Sequence, residues 1–177
     1  MKQHLLSDEM LTLRAPEMSD LDMLFLWEND SSLWHVGNAI APYSRKQLWE
    51  YIETYVADIF ATRQLRFIIQ ENNSEKPIGT IDLFDFDPIN RHASLGIYIQ
   101  EDYRQKGYAK RAIEILCKYC SVHIGMHTLT AITSVNNNAG MKLFKSCGFS
   151  TSGCLRSWIR RSSTYEDAIV LQLLFNI

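Results

Sequence analysis

The amino-acid sequence predicts a single α/β domain over residues 1–177, in which a mixed sheet carries helices on both faces. Segments rich in β-branched and apolar residues alternate with amphipathic segments of helical period, in the order β-α-α-β-β-β-α-β-α-β-β. The length suits one domain, and 46% hydrophobic with 11% aromatic residues can fill its core. No repeat, low-complexity segment or linker divides the chain.

The chain begins with a short predicted strand at 11–14 and a first helix. Pro16 and Ser19 mark the start of that helix, and Ser19 with Asp22 has the spacing of a capping-box variant. Residues 29–43 are irregular, because Ser, Asn, Gly and Pro are frequent there. The apolar side of the first helix consists of Leu21, Leu24, Phe25 and Leu26.

A second helix and a three-stranded meander follow. Ser44 and Gln47 form a capping box at the start of the helix. A turn at 71–77 and a connection at 85–91 separate the strands, which are predicted at 65–70, 78–84 and 93–100. The apolar stripe of the helix consists of Leu48, Tyr51, Ile52, Tyr55, Val56, Ile59 and Phe60.

A short basic turn precedes the next predicted helix, at 109–121. It reads Arg104-Gln105-Lys106-Gly107-Tyr108-Ala109, with Lys110 and Arg111 beyond it. A glycine lets the backbone approach an anion without a Cβ, and a helix start presents free N–H groups and the positive end of the helix dipole. The turn therefore predicts a phosphate or pyrophosphate site. Neither G-x-x-x-x-G-K-[ST] nor G-x-G-x-x-G occurs, so an ordinary loop with solvated charges is the alternative.

The last third of the chain predicts another strand, a short helix and the closing strands. The strand lies at 128–134, and the asparagines at 136–138 form a loop or a helix cap. The helix covers 139–146, with Gly148 as a left-handed cap. Two or three closing strands are predicted at 149 onward, 158–161 and 168–175.

Composition excludes several functional classes. A net charge of −2 and a pI near 6.2 give no broad basic face for nucleic acid, although basic residues cluster at 104–111 and 156–161. No apolar run has transmembrane length, and the first ten residues do not form a signal peptide, so we expect a cytoplasmic protein without membrane contact. Cys117 and Cys120 form C-x-x-C, but no second ligand pair accompanies them, so free thiols and no metal site are expected.

Two motifs resemble the GNAT N-acetyltransferases. These are the R-Q-K-G-Y-A turn and the run N-N-x-x-x-x-L-F-x-x-x-G-F from Asn137 to Phe149, which occur in the family's order of elements. The stretch at 148–168 resembles the branch that holds the spermidine N-acetyltransferases and the N-terminal acetyltransferases of ribosomal proteins, and the stretch at 79–87 is most similar to the spermidine enzymes of that branch. The resemblance implies the GNAT fold, a mixed, mostly antiparallel sheet with a splayed central strand pair, and acetyl-CoA as cosubstrate.

By this resemblance, the cofactor residues come from three segments. The pantetheine arm would pair with backbone groups of the fourth strand, and the turn would bind the pyrophosphate. Asn137 would touch the arm, Lys142 and Lys145 would meet the adenosine phosphates, and Phe144 is either a core residue or a wall against the thioester. The strand and turn residues implied are Gly96, Ile97, Tyr98, Ile99, Arg104, Gln105, Lys106, Gly107, Tyr108, Ala109 and Lys110.

Two departures from the family pattern concern catalysis. A glutamate often occupies the fourth strand and a tyrosine the last helix, but this chain has Ser94 and Phe144 at those positions. A serine is no base at neutral pH, and a phenylalanine has no proton to donate. Loss of one general acid or base typically costs about 10²- to 10⁴-fold. Positioning and a backbone oxyanion donor would then sustain the reaction.

Other side chains are candidates for proton transfer and acceptor binding. Asp82 and Asp85 lie on or just past the third strand, and Tyr98 and His92 flank the fourth, although each has an ordinary structural role as the alternative. Residues that follow the first helix are expected to bind the acceptor; they are Glu28, Trp34 and His35, together with Asp85.

Two functions compete at this point. The first is acetyl transfer to a primary amine, with a polyamine such as spermidine or spermine as the first acceptor and a protein or peptide N-terminus as the second. Against a polyamine, residues 31–45 contain no acid. The second function is an acyl-CoA-binding sensor or regulatory protein with little transfer, which Ser94 and Phe144 favour. A homodimer or larger homo-oligomer is expected by resemblance.

Overall fold

One seven-stranded sheet forms the centre of the protein in a computed structural model that describes residues 5–31, 34 and 40–175. The strand order is β1-β2-β3-β4-β5-β7-β6, and neighbouring strands are antiparallel except β4 and β5, which are parallel. The strands are β1 (Leu11–Arg14), β2 (Leu65–Glu71), β3 (Pro77–Asp87), β4 (His92–Ile99), β5 (Thr128–Ser134), β6 (Ser150–Arg161) and β7 (Thr164–Leu174).

Helices cover both faces of this sheet, as the sequence predicts. The helices are α1 (Leu21–Glu28), α2 (Arg45–Glu53), α3 (Ile59–Thr62), α4 (Tyr108–Tyr119) and α5 (Asn138–Ser146). On one face, Leu24 and Trp27 of α1 and Ile52 of α2 pack over Ile68 of β2. On the other face, α4 and α5 contribute to the larger core cluster. None of the helices in the described ranges is long and apolar enough to span a bilayer.

The second helix is shorter than its apolar stripe predicts. Its Ser44–Gln47 capping box is confirmed, but α2 ends at Glu53 and α3 begins separately. The Tyr55 hydroxyl bonds the backbone of Arg66 in β2, and the Asp58 side chain caps α3. These contacts hold the intervening chain out of helical conformation. Val56 and Phe60, which the stripe included, are therefore largely exposed.

The start of the first helix also differs from the prediction. Glu17 and Asp20, not Ser19 and Asp22, form the capping box, and a short 3₁₀ turn at Met18–Asp20 precedes α1. Asp20 is almost fully buried, and it forms a two-point ion pair with Arg14 of β1. Leu26, predicted on the apolar side, is exposed because the buried positions are Leu24 and Trp27.

The closing region consists of two long strands. Gly148 has φ +90°, which confirms the left-handed cap after α5. β6 and β7 extend past the end of β5, since the last β5–β7 pair is Ser134 with Ala168. Beyond that pair, the hairpin is a two-stranded ribbon at the edge of the sheet.

Candidate active site

The parallel strands β4 and β5 separate in the middle of the sheet. Their register covers only three pairs, of which Ser94 with Thr130 is the last. From Leu95 to Ile99, β4 continues to pair with β3 but not with β5. We call this divergence the fork. One edge of β4 therefore presents backbone groups that β5 does not pair to the gap between the two strands, and the segment that the resemblance assigns to the pantetheine arm, Gly96 to Ile99, forms that edge.

The basic turn at the start of α4 presents its backbone amides. Gly107 is the N-cap with φ +85° and Gln105 has φ +59°, so two residues take the left-handed conformation. No side chain caps the helix, and the amides of residues 105–109 make no hydrogen bond to another described residue. A run of free N–H groups at a helix start binds an anion. This geometry fits a pyrophosphate.

The cations around the turn already have partners. Arg104 Nε donates to the carbonyl of Ile99 at 2.9 Å, and Lys106 Nζ lies 5.5 Å from the centroid of the Tyr103 ring. Lys110 pairs with Glu114 and Arg111 with Asp8 and Glu9, while the Tyr108 hydroxyl bonds Glu71. Ala109 lies in the first turn of α4. The backbone amides, rather than the side-chain cations, are thus the donors that this turn leaves available.

The resemblance assigns residues of α5 and its N-cap to the cofactor. Asn137 lies at the start of the helix, and Lys142 and Lys145 lie on its exposed side. Asn137 is the N-cap of α5: its Oδ1 accepts from the amide of Gly140 at 2.9 Å, and its Nδ2 donates to Thr133 Oγ1 at 2.9 Å. Both polar atoms of this side chain therefore stabilise the loop that follows β5. Lys142 and Lys145 are exposed on α5, where they are free to meet an anion.

The two departures from the family pattern have different surroundings. Phe144 is buried and packs edge-on against Phe149, with ring centroids 5.3 Å apart, so it belongs to the core. Ser94 is partly exposed at the fork, where its Oγ lies 3.3 Å from Thr130 Oγ1. Of the two positions, only Ser94 places a polar atom beside the cleft.

An ion-pair cluster of Glu28, Arg66 and Asp82 lies on the side of the sheet that α1 and α2 cover. Arg66 Nε and Nη2 donate to the two carboxylate oxygens of Asp82 at 2.7 and 3.1 Å, and Nη1 donates to Glu28 at 2.5 Å. Each of the three side chains is about a quarter exposed. Asp82 is directly opposite Gly96 of β4, so the cluster lies beside the fork.

Burial and charge act against each other in this cluster. Burial raises the pKa of Asp82, and Arg66 opposes that rise without cancelling it. Burial alone would lower the pKa of Arg66, but the two carboxylates outweigh it and hold that pKa above its ordinary value. Burial also raises the pKa of the neighbouring Tyr51 to about 12. With one guanidinium between two carboxylates, the cluster carries about one net negative charge.

The aromatic residues predicted for the site, Tyr98 and Trp34, lie on the side of the sheet that α1 and α2 cover. The Tyr98 ring packs 5.6 Å from that of Trp27, and burial raises the Tyr98 pKa above its usual value. Trp34 Nε1 donates to the backbone carbonyl of Glu28 at 3.1 Å. Tyr98 is thus a packed side chain at the edge of the fork. His35 lies outside the described residues.

The remaining predicted acids and bases lie toward the closed end of the fork. Asp85 is exposed with φ +54° in a bulge of β3, between the pairs that Phe84 and Asp87 make with β4. His92 Nε2 lies 3.6 Å from Asp87. Neither Asp85 nor His92 belongs to the Glu28–Arg66–Asp82 cluster, and their roles in acceptor binding or proton transfer stay predictions.

Two side chains of the site were not predicted from the sequence. Arg66 interrupts the apolar strand Leu65–Glu71, and a charged residue on a helix-covered strand face is a signal that a partner acid exists. Thr130 lies in the alternating run Thr128-Leu129-Thr130, which indicates only that two threonines share a face. The pairing of Thr130 with Ser94 joins residues 36 positions apart and has no local signature.

Comparison with known proteins agrees with this geometry. The family described as Acetyltransferase (GNAT) domain matches residues 10–150. The chain is 26% identical over 164 residues to the spermidine N(1)-acetyltransferase of Vibrio cholerae serotype O1, covering 93% of this chain and 92% of that protein.

Two solved structures of a Vibrio cholerae spermidine N-acetyltransferase share the architecture. One, a complex with CoA and spermine, superimposes with a TM-score of 0.82 at 25% identity and covers 94% of this chain and 96% of the other. A dodecameric structure in an intermediate state gives a TM-score of 0.78 at 26% identity, covering 94% and 95%.

Proposed function

Because the chain belongs to the GNAT acetyltransferase family and is an N-acetyltransferase with acetyl-CoA as cosubstrate, we propose that it acetylates a primary amine of a polyamine such as spermidine or spermine. The relatives named as spermidine acetyltransferases support this acceptor. The observation that carries the proposal is the fork beside the uncapped turn, since together they form a cleft with an anion site at one end.

Acetyl transfer proceeds by direct attack of the amine in a ternary complex, in which the fork and the basic turn bind different parts of acetyl-CoA. Acetyl-CoA would supply the acetyl group as a thioester, in which the C–S bond breaks and the thiolate leaves as the amine nitrogen bonds the carbonyl carbon. The amides of residues 105–109 hold the pyrophosphate, and the free edge of β4 pairs with the extended arm. A backbone N–H of that edge stabilises negative charge on the carbonyl oxygen.

The acceptor approaches from the side of the Glu28–Arg66–Asp82 cluster. A net charge of about −1 attracts an ammonium group, and rings of Trp27 and Tyr98 pack nearby. Because both oxygens of Asp82 are bound by Arg66, this carboxylate orients the cation better than it removes a proton. Glu28, of which only one oxygen is bound by Arg66, or water beside it accepts the proton that the ammonium group must lose before its nitrogen can attack.

A protein or peptide N-terminus is the second candidate acceptor. The ion pairing of Glu28 and Asp82 with Arg66 favours it, because these two acids do not present two full charges to a polycation. One remaining net charge matches one ammonium group. The polyamine and the N-terminus therefore differ in how many cationic groups the site must bind.

We also infer that the protein assembles into a homo-oligomer. The ribbon at the end of β6 and β7 exposes Trp158 and Tyr165, each by 60%, and Arg160 pairs directly with Tyr165 on the same face. Trp, Tyr and Arg are the residues most enriched at interface hot spots. The dodecameric relative supports the same expectation. A cytoplasmic location stays a prediction.

The test is release of free CoA from acetyl-CoA with a panel of amines. The panel contains spermidine, spermine, peptides with varied N-termini and aminoglycosides, and a Phe144→Tyr variant is assayed beside the wild type. Turnover with polyamines supports the first acceptor, and turnover with peptides alone replaces it with the second. Binding of acetyl-CoA without turnover by either form would favour the sensor function.

A further inference from the structure

We propose that Thr130 is a positioning residue that fixes Ser94 as a hydrogen-bond acceptor for the incoming amine. The inference deepens the proposed function and rests on it. It starts from the last pair of the β4–β5 register, where both strands carry a hydroxyl group. Ser94 Oγ lies 3.3 Å from Thr130 Oγ1, and Thr130 Oγ1 lies 3.4 Å from the carbonyl oxygen of Ala93.

The direction of these hydrogen bonds follows from the number of protons. A hydroxyl group has one proton to donate and two lone pairs that accept. Thr130 donates its proton to the carbonyl of Ala93, so its oxygen faces Ser94 as an acceptor. Either oxygen can donate in the Ser94–Thr130 bond, and with the Thr130 proton on the carbonyl of Ala93 it is Ser94 that donates. The lone pairs of Ser94 are left to accept a hydrogen bond from a donor at the fork.

The position of Ser94 gives those lone pairs a partner. Ser94 shares its strand face with Gly96, two residues on, and Gly96 is directly opposite Asp82 of the ion-pair cluster. Two residues of a strand span roughly 7 Å. An amine held beside the cluster, with its reacting nitrogen at the fork, lies within that distance of Ser94. An N–H of the amine donates to Ser94, which orients the nitrogen lone pair toward the acetyl carbon.

The choice of threonine also suits this role. A β-branched side chain has few χ1 rotamers, so Thr130 holds its oxygen in one place. Valine has the same shape without the hydroxyl group. In a Thr130→Val variant the proton of Ser94 loses its acceptor and turns to other groups, including the amine, so Ser94 no longer acts only as an acceptor.

The experiment compares Thr130→Val and Thr130→Ser with the wild type, using the acceptor amine found to turn over. We expect Thr130→Val to lower kcat/KM for the amine about tenfold, which corresponds to about 1.4 kcal/mol, the size of one ordinary hydrogen bond. Thr130→Ser keeps the hydroxyl group and restores most of the activity. The dissociation constant for acetyl-CoA, measured by calorimetry, stays within about twofold in both.

Two further variants separate positioning from a structural effect. Thr128→Val is the control on the same strand face. It removes a hydroxyl group that donates to the carbonyl of Leu173, away from the fork, so kcat and KM for the amine are expected to be unchanged. Ser94→Ala should lose as much as Thr130→Val, and the double variant should lose no more than either, since both act through one contact.

Several results would overturn the role. Wild-type amine kinetics in Thr130→Val, additive losses in the double variant, or an equal loss of acetyl-CoA affinity each contradict it while the proposed function stands. If the wild-type protein acetylates no amine at all, the proposed function fails first and the role of Thr130 fails with it.

Discussion

Arg66 joins strands β2 and β3 of the sheet to α1, the helix that covers them. Its guanidinium bonds Asp82 on the neighbouring strand β3 and Glu28 at the end of α1, all three about a quarter exposed. Three charges in a partly desolvated place are stable only while they are paired. Removing the cation leaves two carboxylates without a partner in a region where burial already raises the pKa of Asp82.

An Arg66→Met variant is therefore expected to lose about 3 kcal/mol of unfolding free energy, at the low end for breaking a buried ion pair because water reaches the group. Urea denaturation at pH 7 measures the loss. Lys46→Met is the control, because Lys46 and Glu50 form an exposed pair at 3.5 Å worth well under 1 kcal/mol. Equal losses in the two variants would show that the cluster adds no stability of its own.

Asp87 makes the folding stability of the protein depend on pH in the acidic range. Its carboxylate accepts hydrogen bonds from the Asn90 backbone, the Asn90 side chain and the Ile89 backbone, which lower its pKa to about 2. The unfolded value is about 3.9. Because the folded pKa is the lower one, the stabilisation is present above about pH 4 and is lost as the pH falls toward 2.

In an Asp87→Asn variant, we expect the midpoint of thermal unfolding to fall less between pH 4 and pH 2 than it does in the wild type. Asp85→Asn is the matched control, since the Asp85 carboxylate accepts no hydrogen bond from another described residue. Midpoints recorded at half-unit steps from pH 2 to 6 decide the matter. Parallel curves for the wild type and Asp87→Asn would contradict this account.

At the scale of elements, local signals were predictable and contacts between distant segments were not. The Ser44–Gln47 cap and the Gly148 turn depend on a few adjacent residues, and both occur as predicted. The end of α2 depends on Tyr55 bonding the backbone of β2, whereas the apolar period continues past it. Periodicity alone therefore extends the helix too far.

The fork shows the same limit on prediction. Its strands were predicted from composition, but their separation was implied only by family resemblance. Nothing in residues 93–100 or 128–134 indicates that pairing stops after Ser94 and Thr130. Likewise, the Glu28–Arg66–Asp82 cluster joins α1, β2 and β3; Glu28 and Asp82 were candidates separately, but no local pattern in the sequence pairs them through Arg66.

Gly79 connects packing within the sheet to the shape of the fork. A Cβ added at this position would lie 2.1 Å from the carbonyl oxygen of Tyr98, on the β4 segment assigned to the pantetheine arm. The carbonyl oxygen of Tyr98 is a backbone atom and cannot move aside as a flexible side chain can. An alanine at position 79 would therefore force β3 and β4 apart. Overpacking of this kind costs about 1–3 kcal/mol.

Gly79→Ala should accordingly unfold at lower urea concentration and bind acetyl-CoA more weakly than the wild type. Gly153→Ala in β6 is the control, because no atom lies within 4 Å of its added Cβ. That variant should be neutral or slightly more stable, since alanine lowers the entropy of the unfolded chain. Two variants with the same midpoint would rule out the close approach as the cause.

At the scale of the whole molecule, the ribbon beyond the last β5–β7 pair is the part of the sheet with the fewest neighbours. Glu166 anchors it by bonding Ser134 and Arg161, and the Ser134 hydroxyl is the main cause of the lowered Glu166 pKa. Trp158, Arg160 and Tyr165 of the ribbon are exposed to solvent, and Arg160 and Tyr165 lie on one face. Large aromatic groups presented rigidly to water are stabilised when a second copy of the chain covers them.

A double variant, Trp158→Ala with Tyr165→Ala, should therefore shift the protein toward smaller species. Hot-spot truncations cost about 2 kcal/mol or more each, so the double change weakens a subunit contact by about a thousandfold or more. Light scattering coupled to size-exclusion chromatography at micromolar concentration measures the mass. Ile89→Ala, which removes an 88% exposed apolar side chain from a turn, should leave the mass unchanged. A monomeric wild type would refute assembly, and an unaltered oligomer in the double variant would place the interface on another surface.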